Sequence, residues 1–382
     1  MTDEPRGAIS IFLPSLEGGG AENVMITLAN AIAARGHAVD LVLASARGRF
    51  MDEVGPGVRI VDLGRSRVMT CILPLRDYLR RESPIALLSA LSHANVVALL
   101  ARRLSGWRGR MVISERTSFL SVRRYARTPR NRIMRGLMRV TYPWADAVTV
   151  VSEPIIAELA EGLRLDARRI YYVPNPIVSD RLRSLAEEVP DHPWLADKGL
   201  PVVLGVGRLS PEKGFDVLIG AFARLRESRA ARLVLLGEGQ ERAALERLVD
   251  RLGVGDSVAL PGFAANPFAA MRRADVFVLP SRFEGMPGAL IQAMACGTPV
   301  VSSDCHSGPR AVLEDGKWGA LVPVEDELAL ARAIAQVLDA GEHPPVADRA
   351  ALFDEERAVD RYLEIMGVAS RRDPVPGGAR SD

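Results

Sequence analysis

Short apolar runs alternate along the chain with longer segments whose apolar residues recur at helical spacing. The apolar runs predict strands at residues 8–13, 38–43, 58–61, 85–89, 111–114, 147–151 and 170–173, and again at residues 202–206, 233–236, 257–260, 276–279, 300–302 and 318–322. The longer segments predict helices at residues 21–35, 69–81, 95–104, 123–139, 154–163, 215–226, 241–252, 289–296, 327–338 and 354–366. Strands that alternate with helices form parallel sheets, because each parallel connection needs a crossover. The chain is therefore predicted to be an α/β protein.

The chain is long enough for two domains. Its 382 residues exceed the size at which a single hydrophobic core usually stops growing. The segment Pro174-Asn175-Pro176 separates the two series of strands, and a residue before proline is disfavoured in a helix. We expect a first domain at residues 1–175, a second at 176–348, a final helical segment at 349–369, and a disordered tail at 370–382, which is rich in Arg, Gly and Pro.

The composition is that of a globular protein, and it bears on the cellular location of the chain. Apolar residues make up 48% of it and charged residues 25%. No window of 18 uncharged apolar residues is present, so no membrane-spanning helix is predicted. The charged residues before the first strand do not form a signal peptide. Cys71, Cys296 and Cys305 have neither a disulfide framework nor zinc-site spacing. We expect a cytoplasmic location.

Charge is nearly balanced overall but unevenly distributed. Residues 1–195 hold 27 Arg and 20 acidic residues, and the remainder holds 22 Lys and Arg and 27 acidic residues. Twelve of the arginines lie between Arg102 and Arg139, where Glu115 is the single acid. A basic face on a nearly neutral protein indicates an anionic partner for the first half, such as an anionic membrane surface. Part of this charge lies on the predicted helix at 123–139, which is expected to carry Ile133, Met134, Leu137 and Met138 on one side and to have arginines spread around it, namely Arg124, Arg127, Arg132, Arg135 and Arg139. The alternative is a solvated helix face.

A loop after the first strand of the second series carries two cations. It reads Gly-Arg-Leu-Ser-Pro-Glu-Lys-Gly-Phe from Gly207 onward. Arg208 and Lys213 suit two adjacent phosphates, because a guanidinium and an ammonium both bind phosphate oxygens. The preceding glycines open like a dinucleotide fingerprint, but Ser210 stands where the third glycine belongs. NAD binding is therefore a weak interpretation.

A second glycine-rich loop, Gly18-Gly19-Gly20, follows the first predicted strand. No Lys-Ser or Lys-Thr follows it, so it is not a P-loop, and it also lacks the spacing of a dinucleotide fingerprint. Glycines allow the backbone to approach a ligand closely, and the N-terminus of the helix that follows suits an anion. A tight turn without a ligand is the alternative.

The most distinctive stretch runs from Pro280 to Arg310. An apolar strand leads into a loop that carries Glu284, and a short helix then ends at Gly297. A second buried strand leads to the loop Ser-Gly-Pro-Arg around Gly308. Loops after the carboxyl ends of strands line the ligand crevice of an open α/β sheet. Glu284 and the amides near Gly308 are therefore expected to face one ligand.

This stretch resembles the signature of the retaining nucleotide-sugar glycosyltransferases of family 4, in a variant found among transferases that build bacterial cell-surface glycans. The family carries two glutamates eight residues apart; the first position is Glu284 here, and Gln292 stands at the second. His306 and Ala311 also depart from the usual residues. The resemblance extends over nearly the whole chain. It implies the GT-B fold, with two Rossmann-like domains whose parallel sheets face a central cleft, and a last helix that crosses back to the first domain.

The resemblance also implies a role for each motif. In the family, the Arg and Lys of the Gly-Arg-Leu loop bind the donor diphosphate, the first Glu contacts the donor sugar and the second Glu holds the ribose hydroxyls. Expected catalytic residues are Arg208, Lys213 and Glu284. Expected donor-binding residues are Gly207, Glu238, Gly285, Met286, Pro287, Gly288 and Gln292. Expected residues of the cleft or the acceptor site are Gly18, Gly19, Gly20, His93 and Glu115. An ordinary loop acid stays open for Glu238, and a capping or core role stays open for His93.

The predicted function is that of a hexosyltransferase. It would move a sugar, with retention at the anomeric carbon, from a UDP- or GDP-linked donor to a glycan acceptor in the assembly of cell-surface glycans. The acceptor is expected to be linked to a polyprenyl diphosphate, so a peripheral position on the inner face of the cytoplasmic membrane stays open. No cofactor, metal or nucleic acid is expected, since the chain has no Asp-x-Asp and no metal-binding spacing. The alternatives are a nucleotide-sugar epimerase on the same fold and a non-catalytic sugar-nucleotide-binding subunit. Gln292 and Ala311, which depart from the family pattern, favour the second alternative.

Overall fold

A computed structural model describes residues 7–17, 20–116, 129–197, 199–284, 286–305 and 308–369, without the side chains of residues 129–131 and 154. The chain divides into two compact units. Unit 1 comprises Met1–Pro176 and Glu355–Asp382, and unit 2 comprises Ile177–Asp354. Gly18, Gly19, Gly285 and His306, the first part of the predicted helix at 123–139 and the predicted tail at 370–382 lie outside the described residues.

Unit 1 is built on a seven-stranded sheet with the strand order β3-β2-β1-β4-β5-β6-β7. All neighbouring strands in it are parallel. The strands are β1 (Ile9–Leu13), β2 (Val39–Leu43), β3 (Val58–Asp62), β4 (Ala86–Ala90), β5 (Arg110–Glu115), β6 (Ala147–Val150) and β7 (Ile170–Tyr172). The helices of this part of the chain are α1 (Gly20–Ala34), α2 (Ile72–Glu82), α3 (Ser92–Ser105), α4 (Pro129–Thr141) and α5 (Pro154–Leu163).

Unit 2 is built on a six-stranded sheet with the order β10-β9-β8-β11-β12-β13, again with parallel neighbours. The strands are β8 (Val202–Val206), β9 (Arg232–Leu236), β10 (Val258–Gly262), β11 (Val276–Leu279), β12 (Val300–Ser303) and β13 (Ala320–Val322). The helices are α6 (Asp180–Ala186), α7 (Pro193–Ala196), α8 (Phe215–Arg226), α9 (Arg242–Arg251), α10 (Pro267–Arg273), α11 (Gly288–Ala295), α12 (Pro309–Val312), α13 (Glu327–Asp339) and α14 (Val346–Ala350).

The last helix, α15 (Glu355–Met366), belongs to unit 1. Its Val359 and Leu363 are fully buried, in the same core as the inner strands β1 and β2. Arg35 at the end of α1 binds Asp360 of α15 at 2.8 Å, so an ion pair fixes the edge of this contact.

The apolar pattern of the strands follows from their place in the sheet. Every residue of β1, β2, β4 and β6 is buried, because helices cover both faces of a parallel sheet. The edge strand β3 buries only Val58 and leaves most of its other residues exposed. The strands predicted from continuous apolar runs are thus strands whose side chains are buried on both faces of the sheet. The predicted α/β class with two parallel sheets is confirmed.

A buried polar network ties three strands of unit 1 to α2. Asp40 on β2 is 2% exposed, and its carboxylate accepts from both Nε and Nη2 of Arg59 on β3, at 2.7 and 2.5 Å. The hydroxyl of Tyr78 on α2 donates to Asp40 at 2.5 Å and lies 2.7 Å from the hydroxyl of Ser10 on β1. Burial, and then the hydrogen bond to Asp40, raises the pKa of Tyr78 well above its usual value. A charge this deeply buried is tolerated because it is paired and hydrogen-bonded.

The arginine-rich helix differs from its prediction in the face that it buries. The sequence pattern placed Ile133, Met134, Leu137 and Met138 together on one apolar side. In the structure Met134, Leu137 and Met138 pack against the core of unit 1, whereas Ile133 is 66% exposed. Ile133 lies at the edge of the core-facing stripe, because it is about 100° from Met134 and about 140° from Met138 around the helix.

Four short helices, α6, α7, α12 and α14, were not predicted. They have seven residues or fewer, which is too short to show two periods of a helical pattern. The predicted helix at 69–81 begins as a 3₁₀ turn at Val68–Cys71 before α2. Among the residues that the structure describes, no helix combines the length and hydrophobicity needed to span a membrane.

Candidate functional site

Two loops that carry candidate residues leave adjacent strands of unit 2. Strands β8 and β11 are parallel neighbours, so their carboxyl ends lie at one edge of the sheet. The loop after β8 contains Arg208 and a 3₁₀ helix, Pro211–Lys213, and the loop after β11 contains Glu284. Residues 71 positions apart in the chain can therefore meet.

Lys213 and Glu284 do meet. The Lys213 Nζ donates to Glu284 Oε1 at 2.7 Å, and the Ser281 hydroxyl donates to the same oxygen at 2.7 Å. The side chain of Glu284 is 8% exposed, and that of Lys213 is 25% exposed. An ammonium has three donors, so Lys213 can bind a further anion while it holds the carboxylate. The sequence placed each residue at the site but did not predict this contact.

Glycines let the two loops pack against their neighbours. Gly214 has φ of 66°, and a Cβ there would lie 2.2 Å from the carbonyl oxygen of Pro280. No other residue could occupy that position without moving one of the loops. A Cβ added at Gly207 would lie 3.7 Å from Cδ and Cε of Lys213, an ordinary van der Waals distance, so Gly207 lies beside the lysine stem without being required by it. The requirement for glycine is therefore at Gly214, the residue that follows Lys213.

Arg208 is exposed at the same edge. Within the described residues its guanidinium makes no hydrogen bond or ion pair, in contrast to most other arginines of unit 2. A guanidinium so placed has its donors available to a ligand from solvent. Arg208 and Lys213 therefore supply two cationic groups on one loop, as the sequence predicted.

Glu238, at the end of β9, is held by an arginine that the sequence analysis did not single out. Arg242 donates to both of its carboxylate oxygens, at 2.8 and 2.7 Å, and also binds Glu246 at 2.9 Å. The hydrogen bond from Arg242 holds the pKa of Glu238 below its usual value. Helical spacing of four residues could have revealed only the pair of Arg242 with Glu246, since Glu238 lies in the loop before α9.

The remaining donor-side candidates surround the start of α11. Pro287 is buried and precedes the helix, whose first turn has no side-chain cap. Met286, Gly288 and Gln292 are half-buried there. Gln292 lies one to two turns along α11, eight residues after Glu284 in sequence. Their donor-binding roles stay predictions.

In unit 1 the candidate residues lie at the carboxyl ends of β4 and β5. Glu115 is 3% exposed, and its carboxylate accepts from the hydroxyls of Ser92 at 3.0 Å and Tyr142 at 2.7 Å. Burial, and then the charge of Glu115, raises the pKa of Tyr142 well above its usual value. His93 is half-buried in the first turn of α3, and Gly20 begins α1. Glu115 is thus engaged inside unit 1, and its role toward an acceptor stays a prediction.

Arg282 is the residue of the site that sequence reasoning missed. It lies two positions before Glu284, and its guanidinium binds Asp216 at the start of α8 through two hydrogen bonds of 2.9 and 2.7 Å. Nothing in the sequence pairs residues 66 positions apart, and an acidic residue in the first turn of a helix is common for other reasons. In the described ranges, no group of three or more His, Cys, Asp or Glu side chains is arranged to hold a metal ion.

Both halves of the chain match family models. Residues 18–181 match the model described as Glycosyltransferase Family 4, and residues 190–351 match the model described as Glycosyl transferases group 1. A solved structure, Anabaena HepE in complex with UDP, superimposes with a TM-score of 0.75 over 94% of this chain and 99% of that one, at 21% identity. The fold is therefore that of the GT-B glycosyltransferases.

Several relatives in sequence are bacterial glycosyltransferases. The lipopolysaccharide core biosynthesis glycosyltransferase LpsE of Rhizobium meliloti is 29% identical over 91% of this chain and 96% of its own length. The N-acetylgalactosamine-N,N'-diacetylbacillosaminyl-diphospho-undecaprenol 4-alpha-N-acetylgalactosaminyltransferase of Campylobacter jejuni is 31% identical over 65% of this chain and 66% of its own length. The chain belongs to the family 4 (group 1) glycosyltransferases and is a sugar-transferring enzyme.

Proposed function

We propose that the enzyme moves a sugar from a UDP- or GDP-linked donor to a glycan acceptor, with retention at the anomeric carbon. The observation that carries the proposal is the contact of Lys213 with the buried carboxylate of Glu284, on the same sheet edge as the exposed Arg208. Cations and a sugar-binding carboxylate are needed side by side when a diphosphate leaves a sugar. HepE, whose fold this chain shares, was solved in complex with UDP, which supports a uridine nucleotide as part of the donor.

Arg208 and Lys213 would act on the leaving group. Negative charge grows on the diphosphate as the glycosidic bond breaks, and fixed cationic donors stabilise that charge more than the ground state. By analogy with oxyanion-hole donors, each is worth about 2.7–4 kcal/mol. Glu284 accepts from Lys213 and Ser281, and a carboxylate in that state suits the orientation of sugar hydroxyls rather than the abstraction of a proton.

A donor panel tests this proposal. UDP- and GDP-sugars would be supplied with isolated lipid-linked glycan acceptors, and release of the nucleoside diphosphate would be followed with and without acceptor. We expect one donor to give acceptor-dependent release, with the product anomer matching the donor when followed by NMR. An inverted anomer would contradict the retaining mechanism, and donor conversion without acceptor would favour an epimerase.

The acceptor is proposed to be a glycan linked to a polyprenyl diphosphate in an anionic membrane. The C. jejuni relative is named for a diphospho-undecaprenol substrate. In unit 1, helix α4 exposes Arg132, Ile133, Arg139 and Val140 on its outer side, with Ile133 66% and Val140 60% exposed. Arginines beside exposed apolar side chains are typical of helices that lie in a membrane interface.

Vesicle binding tests the membrane surface. We expect the triple substitution Arg132→Gln, Ile133→Ser and Val140→Ser to weaken binding to vesicles that contain phosphatidylglycerol, and salt to weaken the binding of the unchanged protein. A matched control is the pair Arg168→Gln and Leu328→Ser, which removes an exposed arginine and an exposed leucine elsewhere. Equal vesicle binding by the triple variant and the control variant would defeat this part of the proposal. Arg124 and Arg127, which the sequence also assigned to this surface, lie outside the described residues.

A further inference from the structure

The loops that carry Lys213 and Glu284 begin where the paired strands β8 and β11 end. Contacts other than strand pairing must therefore hold the two loops in place against each other. One arginine supplies most of them. The backbone N–H of Arg282 donates to the carbonyl of Glu212 at 2.8 Å, and its Nη1 donates to the carbonyl of Pro211 at 2.6 Å. Both acceptors belong to the 3₁₀ helix that ends at Lys213. Arg282 therefore binds the 3₁₀ helix that carries Lys213.

The same guanidinium binds two carboxylates. Asp216, in the first turn of α8, accepts from Nη1 and Nη2 at 2.9 and 2.7 Å. Glu325 accepts from Nε at 2.7 Å. Glu325 follows β13 and has φ of 65°, a left-handed conformation that is unfavourable for a residue with a Cβ. Arg282 thus joins loops that leave β8, β11 and β13.

These contacts occupy the guanidinium. Nε, Nη1 and Nη2 all donate within the protein, and the side chain is 29% exposed. The hydrogen bond to Asp216, and then that to Glu325, raises the pKa of Arg282 further above its usual value. Burial is the largest single influence and would raise the pKa of Asp216, but the hydrogen bond and charge of Arg282, together with backbone hydrogen bonds, outweigh it, so the pKa lies below its usual value. The pair therefore stays ionised at neutral pH and has little capacity left for a phosphate.

We propose that Arg282, held by Asp216 and Glu325, is a positioning residue that fixes Lys213 against Glu284. Its guanidinium acts through the carbonyl of Pro211 and the two carboxylates and does not touch the reacting groups, whereas the bond to Glu212 comes from its backbone N–H and would be kept in every variant. A planar fork is required, because one group must reach a carbonyl and two carboxylates at once. The consequence for turnover rests on the proposed sugar transfer, whereas the consequence for the contact between Lys213 and Glu284 does not.

The low lysine content of the chain makes the contact observable. The three lysines are Lys198, Lys213 and Lys317. Reductive ¹³C-dimethylation keeps their charge and gives a spectrum with few signals, in which the Lys213→Arg variant assigns the Lys213 signal. The Glu284→Gln variant defines where that signal lies when the lysine has lost its carboxylate partner.

We expect the Lys213 signal of Arg282→Gln to move in the same direction as in Glu284→Gln. Arg282→Lys should move it too, because an ammonium keeps the charge but not the fork, and Asp216→Asn should move it less. Turnover of Arg282→Gln should fall about 10- to 100-fold in kcat, since small misplacements of a catalytic group cost that much, with a smaller change in donor KM. The control is Arg224→Gln, which removes an ion pair of 3.1 Å between α8 and the start of α13 that does not involve Arg282.

Melting temperature and near-UV circular dichroism would show that each variant is folded. A Lys213 signal that keeps its unchanged position in both Arg282→Gln and Asp216→Asn would overturn the proposal. So would a kcat of Arg282→Gln within twofold of that of Arg224→Gln. If the unchanged enzyme transfers no sugar from any nucleotide donor, the proposed function fails, and the NMR measurement still decides the role of Arg282.

Discussion

Replacing Glu284 by Gln should tighten the binding of a nucleoside diphosphate while it lowers sugar transfer. In the unliganded enzyme the ammonium of Lys213 is held 2.7 Å from the Glu284 carboxylate. A diphosphate that approaches Lys213 must share that ammonium with a buried negative charge. The neutral amide of Gln removes both the competition and the repulsion, but it also removes the group proposed to orient the donor sugar.

The size of the effect follows from the exposure of the pair. Exposed ion pairs contribute about 0.2–1 kcal/mol, and hydrogen bonds to charged groups contribute about 1.5–3 kcal/mol. The Lys213 side chain is 25% exposed and that of Glu284 is 8% exposed, so solvent screens the contact in part. A contribution of about 1 kcal/mol corresponds to a dissociation constant about fivefold lower for UDP or GDP. Transfer should fall by about two orders of magnitude in kcat.

Calorimetric titration with UDP and with GDP, at fixed ionic strength, measures the first effect. The matched control is Glu212→Gln, which removes one negative charge from the same loop without touching the Lys213 ammonium. We expect a much smaller gain in affinity for the control. Weaker binding to Glu284→Gln, or equal gains in the two variants, would refute the reasoning that the carboxylate competes for Lys213.

Four further substitutions, one of them with a control, have defined outcomes. Arg208→Ala and Lys213→Ala should each lower kcat/KM by about two to three orders of magnitude with the fold intact, and near-normal turnover of either would remove that residue from the site. Gln292→Ala should raise the donor KM more than it lowers kcat, because an amide can both donate to and accept from ribose hydroxyls; the reverse pattern in steady-state kinetics would contradict a ribose-binding role. Asp40→Asn should lower the free energy of unfolding, measured in urea, by about 2–3 kcal/mol, because it weakens the buried hydrogen bonds of a charged group. The control Glu82→Gln, on the exposed side of Arg59, should lower the same free energy by about 0.5 kcal/mol. Equal losses in the two variants would show that burial of Asp40 does not matter.

The parallel-sheet fold was accessible from sequence because its central strands are continuous apolar runs. The predicted bounds of β8 and β11 coincide with those observed, and both strands end at loops with glycine and charged residues. A run of four or five apolar residues between two helical segments is typical of a buried strand. The short helices α6, α7, α12 and α14 lacked such a signal, since a single turn shows no period.

Side-chain contacts across loops were not accessible in the same way. Lys213 and Glu284 were assigned to one site through the family resemblance of their motifs, and the parallel pairing of β8 and β11 explains how they meet. Their hydrogen bond, and the fork of Arg282 on Asp216, depend on loop geometry that no periodicity encodes. The exposed side of α4 was assigned wrongly for a related reason: Ile133 and Met134 are both apolar, and only packing decides which of them faces the core.

The central claim is that Lys213 stabilises the leaving diphosphate during sugar transfer. Release of nucleoside diphosphate by the wild-type (unchanged) enzyme and by Lys213→Ala tests this claim most directly. The assay would use the donor selected from UDP- and GDP-sugars, with and without a lipid-linked glycan acceptor, and Lys317→Ala as a control, since Lys317 is 66% exposed and paired with Glu314. The account predicts acceptor-dependent release by the unchanged enzyme and by Lys317→Ala, and release at least about 100-fold slower by Lys213→Ala. Equal rates for Lys213→Ala and Lys317→Ala, or no acceptor-dependent release from any nucleotide sugar by the unchanged enzyme, would contradict it.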